Sequence, residues 1–219
     1  MERRVIYDFV HVIRGDATLQ QSLIRDRRCG DLYVLAASQT RDKTALTEDG
    51  VSRVLNELRQ SFDYIVCDSP AGIESGAFHA MYYADRAIVC TNPEVSSVRD
   101  SDKMLGILNS KSHRAVNGLE PIEALLLITR YQPELVSKDA MLSVDDINEM
   151  LGIPCIGVIP ESKDVIASAN VGQPVILAGD DSAAAQAYKD FVRRFLGEEV
   201  PFKFLTPEPK SLLSRIFGR

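Results

Sequence analysis

Asp68 closes an apolar run, Tyr64-Ile65-Val66-Cys67, and opens a loop of small residues, Ser69-Pro70-Ala71-Gly72. A carboxylate at the carboxyl end of a buried strand can face a magnesium ion, directly or through water, beside phosphate groups. Pro70 sets the turn out of the strand, and Gly72 and Gly76 allow dihedrals that bring backbone N–H groups toward a terminal phosphate. The same Asp could instead cap the turn that follows it. Three further apolar runs end on polar groups: Thr91-Asn92-Pro93-Glu94, Thr129-Arg130-Tyr131-Gln132 and Ile159-Pro160-Glu161.

Strand-like and helix-like segments alternate behind these ends. Hydrophobic periodicity predicts strands over 31–38, 64–68, 86–94, 123–131 and 154–161. Between them it predicts a helix over 48–62, with Val51, Val54, Leu55 and Leu58 on one face, and a short helix near 77–83. Further helices are expected over 96–111, capped by Ser96 or Ser97, over 143–153, between Ser143 and Gly152, and over 182–197, ended by Gly197. Strands apolar on both faces, alternating with helices, indicate an α/β fold: a mostly parallel sheet with helices on both faces. Ligands in such sheets bind beyond the carboxyl ends of the strands, where the polar groups cluster here.

The 219 residues, 45% hydrophobic and 26% charged, suit one globular domain with a sizeable core. No apolar run approaches the roughly 20 residues of a membrane span, and no apolar stretch follows Met1-Glu2-Arg3-Arg4 as a secretory signal requires. Cys29, Cys67, Cys90 and Cys155 form no C-x-x-C pair and read as unpaired thiols in a reducing cytosol. His11, His79 and His113 lack metal-ligand spacing.

Net charge is −6, yet Lys210 to Arg219 hold three basic groups and no acid, so the body before them is three charges more negative. An acidic body argues against a general nucleic-acid binder. At about 100° per residue, Leu212, Leu213, Ile216 and Phe217 share an arc of about 140°, with Lys210 and Arg219 at its flanks. With Arg215, these residues read as an interfacial helix for an anionic membrane. The alternative is a terminal helix docked on its own domain. Apolar burial and charge attraction nearly cancel the ordering entropy, so one tail binds weakly and two tails on a dimer bind far better. Three prolines over 198–210 mark a linker before it.

Several stretches resemble the MinD family of bacterial septum-site-determining ATPases, in the deviant Walker A group. They are ERRVIYDFVHVIRGDATL (2–19), LAASQTRDKTALTEDGV (35–51), FDYIVCDSPAGIESGA (62–77), TNPEVSSVRDSDKMLGIL (91–108), LLLITRY (125–131), GVIPESKDVIASANVGQPVI (157–176) and the terminal LLSRIFGR. The resemblance implies a P-loop NTPase-like fold over 1–197, a linker over 198–209 and a membrane-targeting helix over 210–219. It also implies ATP and Mg as cofactors, an ATP-driven homodimer, MinC and MinE as partners, and a peripheral place on the inner face of the bacterial cell membrane. Asp68 would lie at the magnesium and act in ATP hydrolysis, and Ser69, Pro70, Ala71 and Gly72 would form the second switch. Arg130, Ile159, Pro160 and Glu161 would lie near the adenine, whereas Gln132 stands where many relatives have Asn. Val98, Arg99, Asp100 and Asp102 would lie on the face shared by MinC and MinE, and Lys210, Leu212, Leu213, Arg215, Ile216, Phe217 and Arg219 would meet the membrane.

Family members begin with a strand, a glycine- and lysine-rich loop and its helix, a unit of about 30 residues or more. No G-x-x-x-x-G-K-[ST] motif occurs in these 219 residues, which open with the segment that follows that unit in relatives. The expectation is a chain lacking its N-terminal unit and inactive as an ATPase as it stands. A nucleotide-independent membrane adaptor and a ParA-type DNA-partition relative are the alternatives, the second disfavoured by the apolar tail.

Overall fold

The computed structural model describes residues 5–38, 46–69, 75–179 and 181–206. In chain order its elements are α1 Phe9–Arg14, α2 Leu19–Ser22, β1 Leu23–Arg25, β2 Tyr33–Leu35, α3 Glu48–Leu58, α4 Ser75–Tyr82, β3 Arg86–Thr91, α5 Val95–Lys111 and α6 His113–Val116. Then follow β4 Glu123–Tyr131, α7 Pro133–Val136, α8 Val144–Leu151, β5 Cys155–Pro160, α9 Lys163–Asn170, a 3₁₀ turn Val175–Leu177 and α10 Ala183–Phe195. The described residues of Met1–Ala84 and Lys111–Glu120 form one compact unit, and those of Asp85–Ser110 and Pro121–Arg219 form the other.

In the first unit Asp8 starts α1: its Oδ1 accepts the N–H groups of Val10 at 3.0 Å and His11 at 3.1 Å, two donors the helix leaves unsatisfied. Gly15, at φ 79°, ends α1 in the left-handed conformation. Val51, Val54, Leu55 and Leu58, the expected face of α3, join Val12 and Leu19 in the core. Gly50 lets α1 approach α3, because a Cβ there would lie 2.6 Å from Ile13 Cγ2. The strand expected over 31–38 contracts to β2 and pairs antiparallel with β1, Leu23 opposite Leu35, as a local ribbon rather than a parallel member. Its turn is held by Asp26 Oδ1, which accepts from Arg28 N–H at 2.7 Å and Cys29 N–H at 2.9 Å. The strand expected over 64–68 is absent: no described residue forms a ladder with this run. Ile65 packs against the core, while Tyr64 is 63% and Val66 89% exposed. A run that joins no ladder among the described residues has no pleated surface there against which to bury alternate side chains.

The second unit is built on a parallel sheet of order β3-β4-β5, flanked by helices. Arg86 opens the β3–β4 register opposite Glu123, and their side chains pair at 2.6 Å. Leu125, Leu126, Leu127 and Ile128 are buried in succession, which requires cover on both faces of β4. α10 closes over β5 through Phe191, Ala184 and Ala187, against Leu127 and Ile159. The approach depends on Gly157, where a Cβ would meet Leu127 Cδ1 at 2.5 Å and Phe191 Cδ2 at 2.8 Å. α8 runs between the expected Ser143 cap, whose Oγ accepts from Asp146 N–H at 3.1 Å, and left-handed Gly152. The four cysteines are free thiols, and burial raises the pKa of Cys155.

Candidate functional site

Within the second unit, three of the four polar strand ends meet at the carboxyl edge of the sheet. The β4–β5 register slips between Ile128 and Tyr131, which takes Thr129 and Arg130 out of the ladder. Arg130 adopts φ 59°, uncommon for a residue with a Cβ. From there its Nε donates to Glu161 Oε2 at 2.9 Å, while the Glu161 N–H donates to Tyr131 O at 3.0 Å. Glu161, and beyond it the charge of Glu94, raise the Arg130 pKa further above its already basic value. Arg130 is 65% and Glu161 32% exposed, so the pair contributes little to stability.

A hydrogen-bonded chain connects this edge to α5. Thr129 Oγ1 donates to Asn92 Oδ1 at 3.0 Å, Asn92 N–H donates to Ser97 Oγ at 3.0 Å, and Ser97 Oγ lies 2.9 Å from Thr91 Oγ1. Ser97 is thus not the expected helix cap. α5 begins earlier, at Val95, and Ser97 reaches back to the end of β3. Sequence reasoning missed this role, for which a serine five residues beyond Asn92 was the available signal. Beside it, Gln132 N–H donates to Met141 Sδ at 3.3 Å and Leu142 N–H to Pro93 O at 3.3 Å, binding the loop after β4 to the end of β3. The buried Tyr131 phenol is raised in pKa by desolvation, against a bond from Val144 N–H, with Asp145 and Asp146 adding to the rise.

The remaining expected residues belong to other elements. Asp68 and Ser69 lie in the first unit, Asp68 exposed and Ser69 half-buried. Ile159 is 2% exposed and belongs to the core, so its backbone rather than its side chain faces the strand edge, beside half-buried Pro160. On α5, Arg99, Asp100 and Asp102 are exposed and Asp100 pairs with Lys103 at 2.8 Å, whereas Val98 is fully buried and presents no surface. Pro70, Ala71, Gly72, Lys210, Leu212, Leu213, Arg215, Ile216, Phe217 and Arg219 lie outside the described residues. Among the described residues no group of three His, Cys, Asp or Glu could hold a metal, and no helix is long and apolar enough to cross a membrane.

No protein-family model matches the sequence. Septum site-determining protein MinD of Escherichia coli K12 is 59% identical over 218 residues, covering 99% of this chain and 80% of that protein. The chain belongs to the MinD family. The MinD of Neisseria meningitidis serogroup B is 57% identical over 220 residues, with the same coverage of 99% and 80%. Among solved structures, the MinC:MinD cell division protein complex of Aquifex aeolicus superposes with a TM-score of 0.78 at 36% identity, covering 92% of this chain and 78% of that one. The α/β architecture described above, a parallel sheet flanked by helices, is the MinD fold.

Proposed function

We propose that this MinD-family chain helps place the division septum, as a nucleotide-dependent, membrane-associated dimer that recruits MinC and answers to MinE. Near-complete alignment with Septum site-determining protein MinD at 59% identity carries the reading, and the MinC:MinD complex at 36% identity supports the MinC partnership. The strand edge fits the base side of ATP. Arg130 offers a planar cation for the face of a purine and Glu161 an acceptor for its exocyclic amine, with the Ile159-Pro160 backbone beside them. Asp68 supplies the magnesium carboxylate, and Ser69 to Gly72 form the switch that follows it. ATP, when bound, supplies the phosphoryl group whose hydrolysis resets the dimer.

Arg99, Asp100 and Asp102 form the α5 face for MinC and MinE. The body runs through residue 206, residues 207–209 are the tether, and 210–219 the helix that meets the inner face of the cell membrane. A nucleotide-independent adaptor that keeps the partner surface and the tail is the second reading.

Calorimetry with MgATP separates the two. It compares the 219-residue chain with the same chain joined at its N-terminus to the P-loop unit of a MinD relative. Binding by the joined chain alone, weakened by Asp68→Asn and Glu161→Ala, supports the first reading. Silence from both supports the adaptor, and equal affinity in both places the cradle in residues not named above.

A further inference from the structure

Residues 198–206, expected as a linker, are strapped back along α10. Arg194, in its last turn, donates from Nε to Val200 O at 2.8 Å, from Nη2 to Pro201 O at 2.9 Å and from Nη1 to Ile156 O at 3.1 Å. Its guanidinium lies 4.0 Å from the centroid of the Phe202 ring. One side chain therefore uses its whole fork to tie the strap to the first residues of β5. Arg193 Nε holds Glu198 Oε2 at 2.8 Å, and Lys203 Nζ holds Asp190 Oδ2 at 2.8 Å, the aspartate being only 8% exposed. Phe204 packs against the Leu127–Phe191 core cluster at φ 62°, an unusual conformation that the surrounding contacts must enforce.

We infer that Arg194 is a positioning residue for membrane attachment: the strap shortens the tether of the C-terminal helix and holds the second unit close to the bilayer. The inference rests on the membrane reading of residues 210–219. With the strap docked, residues 207–209 alone separate it from the helix, a reach of about 10 Å; released, residues 198–209 reach about 40 Å. In a dimer, a fourfold longer tether lowers the effective concentration of the second tail about eightfold.

The test uses the full chain on phosphatidylcholine vesicles containing phosphatidylglycerol and dansyl-labelled lipid. The chain has no tryptophan, so Val192→Trp on the exposed face of α10 supplies a single donor. Arg194→Met in that background is expected to speed amide exchange over 198–206 by about tenfold or more, through loss of charged hydrogen bonds. Energy transfer per bound chain should fall by about half or more as the reach lengthens. Unchanged exchange overturns Arg194 as the anchor, and faster exchange with unchanged transfer overturns the positioning role. Ile216→Asp distinguishes the underlying reading: if it binds vesicles as the parent does, the tail is not the membrane element and the strap inference falls with it. Should Arg194→Met fail to fold, Lys203→Ala removes one surface anchor and must shift both readouts in the same direction.

Discussion

Two apolar runs of similar composition meet opposite fates. Leu125-Leu126-Leu127-Ile128 lies in β4 between two parallel ladders and is buried throughout, whereas Tyr64-Ile65-Val66-Cys67 has no ladder among the described residues and leaves Val66 89% exposed. Residue type cannot separate them, since both are rich in large apolar side chains. A strand is therefore a property of its neighbours as much as of its own sequence, because alternate side chains bury only when adjacent strands fix the pleat.

The contrast can be tested energetically. Leu126→Ala, at a position with 0% exposure, should cost about 2–5 kcal/mol, read from urea midpoints. Val66→Thr should stay within about 0.5 kcal/mol by the same measurement. A large loss at Val66 would show that this run is buried in solution and dissolve the comparison. Next in size, Gly157→Ala should cost about 1–3 kcal/mol and lower the thermal midpoint, since its methyl would press on Leu127 and Phe191. Ser143→Ala should cost about 1 kcal/mol, from loss of the α8 cap.

The β1–β2 ribbon sharpens the contrast from the acid side. Asp26 has a depressed pKa, chiefly through the Cys29 N–H and next the Arg28 N–H. A carboxylate lowered in the folded state stabilises above its unfolded pKa of about 3.9, and that contribution fades as pH falls through the lower folded value. Exchange of the Asp26 amide, bonded to Leu32 O at 2.8 Å, should accelerate below about pH 4 and show no Asp26-linked change between pH 6 and 8. A small effect on stability is also expected of Arg130→Gly. Glycine suits φ 59°, and an exposed ion pair contributes little, so stability should change by less than about 1 kcal/mol. MgATP affinity of the P-loop-joined chain should fall clearly in calorimetry; unchanged affinity would leave Arg130 no ligand role.

Legibility in the sequence followed the range of the interactions. α8 with its Ser143 and Gly152 ends, α10 behind Ser182, and β4 over Glu123–Tyr131 were readable because caps and long apolar runs declare themselves locally. The β1–β2 ribbon was not, since three-residue strands carry almost no periodicity. Arg130 and Glu161 were readable as strand ends, but their pairing depends on the slipped register near Arg130, which no local pattern encodes. Residues 198–209 looked like a linker from their prolines, while the side chain that docks 198–206, Arg194, belongs to the preceding helix.

β3 carries one further consequence, for handling the protein. Among the described residues it pairs only with β4, and its side chains Ile88, 41% exposed, and Cys90 remain accessible. A strand with one row of N–H and C=O groups unpaired is a template for another chain. Sedimentation at rising protein concentration reads whether this row recruits a second copy of the chain. Ile88→Lys should weaken any such association without touching the buried face of the sheet.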